Sequence, residues 1–361
     1  MYVQQLGYFL LVVLMAAISF FPSGVTLAKE KPLDVQLVSH QEHVGSGGTL
    51  SFHILYHNVT NKNISQEWLK VKVPNGLDVK GVTGAEWNVK ERLLQWKVSN
   101  VKAKSAGVIH FNLKVKDNVK ADTVFELFCD YGYDGNVKDI TNKVYVRVGK
   151  EIHQPFFVGY PDGKFHPRSY LTRAETAAII ARIKNLKGST SKQLYQDVPS
   201  DHWAYRYISQ VTNAGYMNGN NRFFHPDDPI SRAELVTLVL RLRGVRPVPL
   251  EGFTDTTKHW AGNFIATAKK LDFIDGINDK KFLPNGYTER QTAAKLISVA
   301  LYRGPLVDGE RKVVQHFPDV PRSHWSFGWV EEASMVAHES IRKGMGEEHL
   351  IRYLPDQTEP F

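Results

Sequence analysis

The strongest constraint on this chain is a phrase that it repeats. Residues 159–175 read GYPDGKFHPRSYLTRAE, residues 219–234 read GNNRFFHPDDPISRAE and residues 276–291 read GINDKKFLPNGYTERQ. Each copy sets a Gly-rich turn, then an aromatic residue and a proline two positions apart (Phe165 and Pro167, Phe224 and Pro226, Phe282 and Pro284), then Thr or Ser heading an apolar-periodic run. That order describes a loop feeding a helix N-terminus. Thr172 with Glu175 and Ser231 with Glu234 have capping-box spacing, and Thr288 with Gln291 is a permitted variant. Arg173 and Arg232 follow the cap and place a cation in the first turn, where the helix dipole is already positive. An anion held beside the exposed N–H groups, a carboxylate or a phosphate, accounts for that placement.

A second repeated helix lies between these units. It is introduced by Asp-Val or Asp-Thr and marked by a His-Trp pair: Asp197-Val198 with His202-Trp203, Asp255-Thr256 with His259-Trp260, and Asp319-Val320 with His324-Trp325. Apolar residues follow each Trp at matching offsets: Ile208, Val211 and Ala214, then Ile265, Ala268 and Leu271, then Val330, Ala333 and Val336. With a period of about sixty residues and two amphipathic helices per unit, no unit buries its own face, so the three must pack together. Three histidines meeting on a common axis would suggest a three-histidine metal site. A His-Trp pair starting a helix, its indole packed into the neighbouring unit, accounts for the same residues, so no metal is expected from them.

In order and spacing these motifs resemble the S-layer homology family, whose pattern is F-x-D-V, H-W-A, G-x-x-D-G-x-F-x-P and then T-R-A-E. The resemblance covers residues 156–361. It implies an all-α bundle of three motifs about a pseudo-threefold axis, binding secondary cell-wall polysaccharide, often pyruvylated, in grooves between motifs. Carried onto this chain, it implies binding by Thr172, Arg173, Glu175, Ser231, Arg232 and Glu234, with Trp203, Trp260 and Trp325 lining the grooves. In the third copy Glu289 takes the place of the Arg, and Arg290 follows one residue later. A shift of one residue turns a side chain by about a hundred degrees around a helix, so the groove of Thr288 and Arg290 is expected to be altered or silent. The repeat phase divides residues 150–361 into a half-motif at 156–187, motifs at 195–245 and 252–303, and a half-motif at 316–361. Ring closure then sets Trp325 against the helix starting at Thr172. It leaves a fourth loop, at Tyr353-Leu354-Pro355, unexplained.

The remainder of the chain has a different texture. Residues 1–28 read as a secretory signal: apolar from Phe9 to Phe21, broken at Pro22, with a cleavage site at Thr26-Leu27-Ala28. Residues 29–149 alternate in short runs, with candidate strands at 33–38, 49–56, 68–73, 93–98, 108–115, 124–131 and 144–148. Seven short strands with turns between them indicate an Ig-like antiparallel β-sandwich, with Trp96 and Phe111 at its centre. Asn58-Val59-Thr60-Asn61, Val73-Pro74-Asn75-Gly76-Leu77 and Leu94-Gln95-Trp96 resemble the repeated β-sandwich modules of bacterial surface proteins, which act as spacers or interaction domains. A linker is expected near Lys150 to Pro155.

Composition narrows the partners. A net charge of +8 favours an anionic polymer or surface. Lys and Arg are spread without a basic tail or a nucleic-acid signature, so nucleic acid is not expected. Cys129 is the only cysteine, which excludes an intrachain disulfide and a cysteine-based zinc site. No nucleophile elbow, metalloprotease helix or phosphate loop is present, and no cofactor is implied. The expectation is therefore a non-catalytic protein, exported to a bacterial wall of the Gram-positive kind without a permanent membrane span. Anionic wall polysaccharide would be its partner, and other surface proteins could meet the sandwich. The alternatives are an exported wall-polymer hydrolase targeted by its repeats and a lattice-forming S-layer subunit. Paired carboxylates need not be neighbours in sequence, which leaves the hydrolase open.

Overall fold

The computed structural model describes residues 31–134, 137–188, 193–344 and 346–359; the expected export segment lies outside them. Among the described residues no helix is long and apolar enough to cross a membrane.

The first half is built from β1 (Leu33–Ser39), β2 (His43–Val44), β3 (Thr49–Asn58), β4 (Ile64–Lys72), β5 (Leu77–Val82), β6 (Ala85–Asn88), β7 (Leu93–Val101), β8 (Ala106–Val115), β9 (Val124–Leu127), β10 (Cys129–Tyr133), β11 (Val137–Ile140) and β12 (Val144–Val148). One sheet runs β1-β3-β8-β5, the facing sheet runs β11-β10-β4-β7-β6, and β2-β12-β9 closes one end. Their inner faces supply a dry core in which Phe111 lies 5.1 Å from Phe52 and 5.4 Å from Trp96, ring to ring, so the expected sandwich and its centre are present. Asn58 is buried and ties its turn together, donating to the Lys62 and Val101 carbonyls and accepting from the Thr60 amide. Two groups in this core stand out. Burial pushes the Cys129 thiol up to about 12, which makes it an inert apolar side chain. Glu67 on β4 is fully buried with neither carboxylate oxygen hydrogen-bonded, and burial pushes it up to about 8.

The outer face of β1-β3-β8 is covered as well. Val38 and Leu55 point away from the sandwich core into the core of the second half. Beside them the imidazoles of His40, His53 and His110 form a row, 3.0 and 3.1 Å apart at their nitrogens, and Phe273 packs on His40. Gln36 exchanges two hydrogen bonds with the Arg246 backbone, and buried Arg243 reaches the Ser39 carbonyl. The expected linker is a strand: β13 (Glu151–His153) pairs with residues 338–340.

The second half continues through α1 (Arg173–Ile183), α2 (Tyr205–Asn213), α3 (Arg232–Leu242), α4 (Gly262–Lys270), α5 (Arg290–Ala300), β14 (Leu306–Val307), α6 (Phe327–Ala333), β15 (His338–Arg342) and β16 (Glu348–Tyr353). Helices pack as α1/α2, α3/α4 and α5/α6, and α3 also packs against α5. The all-α bundle expected here is overturned, because β13, β15, β16 and β14 form a four-stranded sheet within this half, and the helices are short segments joined by long loops. The physical reason lies in which side chains face inward. Along β15 and into β16 the buried positions are His338, Ser340, Arg342 and Glu348, so the alternation that betrays a strand is carried by polar residues instead of apolar ones. Tyr353 ends β16, and residues 355–357 form one 3-10 turn, so the supposed fourth loop belongs to the sheet.

Candidate functional site

The three loop-to-helix junctions meet in a cycle of backbone hydrogen bonds. Leu171 donates to the Thr288 carbonyl, Thr288 to Ile230 and Ile230 to Leu171, each at 2.8–3.0 Å. Ring closure is made at the first loop. Asp319 accepts from the Phe165 and His166 amides as Asp197 does from Phe224 and His225, and Asp255 from Phe282 and Leu283. Those carboxylates hold the residue between Phe and Pro in a left-handed conformation in every copy, with φ of 54° at His166, 59° at His225 and 59° at Leu283. Trp325 does not pack inside the closure, as expected above; it is 55% exposed.

The cycle also settles the register of the third copy. Thr172 and Ser231 form complete capping boxes with Glu175 and Glu234. In the third copy the N-cap is Glu289, whose carboxylate accepts from the Gln291 side chain and caps no helix amide, and Thr288 is buried with its hydroxyl unpaired. Thr288 is thus the counterpart of Leu171 and Ile230, and Arg290 is the first helical residue, as Arg173 and Arg232 are. The expected one-residue displacement is corrected: the Thr of T-E-R-Q was mistaken for the cap. Backbone geometry agrees. The Arg173, Arg232 and Arg290 amides donate to Asp228, Gly286 and Ser169.

Each guanidinium leaves its own helix and reaches into the next unit. Nε of Arg173, Arg232 and Arg290 donates at 2.9 Å to the carbonyls of Phe224, Phe282 and Phe165, and the planes lie 4.8, 4.4 and 4.8 Å above those rings. The buried Phe of the loop is therefore the platform of the Arg, a role the Phe-x-Pro spacing carried unread. Nη2 donates to the carbonyls of Asn218, Asp275 and Val158 respectively. Burial pulls the Arg232 and Arg290 guanidinium groups below their usual value, yet such groups stay charged.

Two clefts open beside these cations. The first, about 480 Å³, is lined by Arg173, Tyr216, Asn218, Glu234, Arg241 and Trp260, and the second, about 240 Å³, by Tyr160, Glu175, Arg182, Trp203, Tyr207 and Arg290. Residues adjacent in sequence are thus divided between clefts: Arg173 meets Glu234, and Arg290 meets Glu175 at 3.4 Å. In both, an indole stands on the rim, Trp260 62% and Trp203 57% exposed, instead of packing into a neighbour. The paired histidines hold the turn, each accepting at Nδ1 from the amide two residues on (Ala204, Ala261 and Ser326). By the same repeat Arg232 faces α5, and Thr292 stands where Glu175 and Glu234 stand. Among the described residues Arg232 has no carboxylate partner, while Lys295 lies 2.8 Å from Asp275. A cation on an aromatic platform, half-buried at Arg173 and buried at Arg290, beside an exposed indole suits a sugar ring bearing an acid group.

Comparison with known proteins gives the same region. Residues 156–177, 194–236 and 252–294 match the family described as S-layer homology domain. Cell surface glycoprotein 1 of Acetivibrio thermocellus is 35% identical over 199 residues, which are 51% of this chain and 8% of that protein. The cellulosome-anchoring protein of the same organism is 32% identical over 220 residues, 57% of this chain and 47% of that protein. The amylopullulanase of Thermoanaerobacterium thermosulfurigenes is 28% identical over 202 residues, 54% of this chain and 10% of that protein. The chain thus spans less than half the length of each.

Proposed function

We propose that this chain, whose residues 156–294 match the S-layer homology domain behind a β-sandwich, is a non-catalytic surface protein anchored by anionic secondary cell-wall polysaccharide. The observation that carries this reading is the repeated cleft. An Arg seated on a buried Phe puts a guanidinium at each cleft, shared with Glu234 at Arg173 and with Glu175 at Arg290, and an exposed Trp supplies a flat apolar face for the sugar ring. A pyruvate ketal, a small carboxylate fixed on a sugar, matches the guanidinium in charge and in bidentate geometry. The sandwich would stand outside the wall as a spacer or as a contact for other surface proteins, and export to a Gram-positive wall goes with this reading.

Sedimentation with wall sacculi tests it. Intact sacculi should carry the protein down, and sacculi stripped of all polymer other than peptidoglycan should not; equal sedimentation with both would remove polysaccharide as the ligand. Replacing the exposed Trp203 and Trp260 by Ala should weaken sedimentation at least tenfold with unchanged helical circular dichroism. A second reading is a wall hydrolase targeted by its repeats, as a segment similar to this chain makes up 10% of an amylopullulanase. Release of sugar or peptide from sacculi by the purified protein would establish that reading in place of the first.

A further inference from the structure

A fully buried triad at the junction of the two halves takes no part in the clefts. His153 comes from β13, Glu332 from α6 and His338 from β15, and their potential ligand atoms lie within 4.8 Å of one another. His153 Nδ1 is 2.7 Å from Glu332 Oε1, and His338 Nε2 is 2.9 Å from Oε2 of the same carboxylate. The far nitrogens also face oxygen: His153 Nε2 is 3.2 Å from Glu151 Oε2, and His338 Nδ1 is 3.3 Å from the Val336 carbonyl.

A neutral imidazole has one N–H and one lone pair, yet all four ring nitrogens here face acceptors. Either each ring carries a second proton or a cation stands between the near nitrogens and Glu332. Two second protons or one divalent ion would place the same charge beside Arg303, itself 3.6 Å from Glu332, and against the carboxylates of Glu332 and Glu151, so geometry rather than charge separates the two cases. His338 meets Glu332 and the Val336 carbonyl with hydrogen-bond geometry, but the His153 contacts are poorly directed for hydrogen bonds. Despite those distances, both His153 nitrogens and Glu332 Oε1 lack a hydrogen-bond partner of acceptable angle.

We propose that His153, Glu332 and His338 form a binding site for a divalent transition-metal ion of the zinc type. Two imidazole nitrogens and the carboxylate oxygens make a mixed nitrogen and oxygen set, which suits zinc better than calcium or magnesium. Glu151 and the Val336 carbonyl accept from the far N–H groups and fix both tautomers, the outer support that metal-bound histidines have. Bonds of about 2.0–2.1 Å in a tetrahedron set donor atoms about 3.3 Å apart, so the rings would back away from Glu332 by roughly half an ångström. The ion fastens the strand leaving the sandwich to the helix and hairpin that close the ring.

The test uses the full chain, unfolded in chelator and refolded with or without zinc. The expected result is about one zinc per chain after gel filtration, read by mass spectrometry of the metal, with a raised melting temperature and a visible absorption band when cobalt replaces zinc. Glu332→Gln and the double variant His153→Ala/His338→Ala should lose the metal. Wild-type protein that takes up no zinc or cobalt and melts at the same temperature with and without them would overturn the proposal. Stoichiometric zinc in a folded double variant would do so too. Should that variant not fold, the wild-type measurement decides alone.

Discussion

The sandwich and the repeat half solve the same packing problem in different ways. In the sandwich, each strand's alternation decides which side chain goes inward, and partners are found directly across a ladder. In the repeat half, a side chain that starts one helix completes the loop of another unit, as Arg290 does for the loop of Phe165. Local pattern determines structure in the first, and contacts at long range in sequence determine it in the second. Binding should accordingly be separable from sandwich stability and inseparable from the loops.

The largest expected effect tests the first half of that statement. Phe111→Ala, at the sandwich centre, should cost about 3–5 kcal/mol in denaturant unfolding. Whatever fraction remains folded should sediment with sacculi as the wild type does; weaker sedimentation per folded molecule would mean that the sandwich belongs to the site. Arg290→Ala comes next. It strips a buried cation from two carbonyls and from Glu175 and should cost about 3 kcal/mol, with binding lost at the second cleft as well, measured by unfolding and sedimentation together. If only binding fell, the loops would not depend on this Arg, and the contrast would weaken.

A third prediction concerns the sandwich alone. Glu67 keeps its proton in the folded state up to about 8 but loses it near the ordinary carboxylate value when unfolded. The folded state then binds the extra proton between those values. Stability should fall as pH rises through that window, by up to about tenfold in the folding equilibrium per pH unit, and level off above pH 8. Glu67→Gln should flatten the slope in urea titrations at several pH values; an unchanged slope would show that Glu67 is not its source. The smallest effects sit at the caps. Ser231→Ala should cost about 1 kcal/mol, whereas Glu289→Ser, at a cap whose side chain meets no helix amide, should gain up to about 1 kcal/mol.

How much was legible in the sequence follows the same division. Strands 33–39 and 144–148 stand where alternation puts them, while β5 and β6 escaped notice because they are largely exposed edge segments. Asp-Val, His-Trp and Phe-x-Pro were visible as repeats, but not as loop holder, turn clamp and cation platform, since each acts on a residue some distance away or on the backbone. The third Arg was misplaced by one position because Thr288 reads as a cap to anyone counting along the chain. Only the cycle of Leu171, Thr288 and Ile230 shows it to be an interior position. The hairpin of β15 and β16 hides its alternation because the inward positions along β15 and into β16, His338, Ser340, Arg342 and Glu348, are polar.

The strand pairing of β13 with β15 has a mechanical consequence. A tether of loose chain would let the outer module swing and would absorb a pull by stretching. Here a tug on the module arrives as shear along a hydrogen-bonded ladder and is delivered straight to the seam where the circle of repeats is joined. If the repeats anchor the chain as proposed, drag on the module would strain that seam first, and the module would keep one attitude until the seam yields.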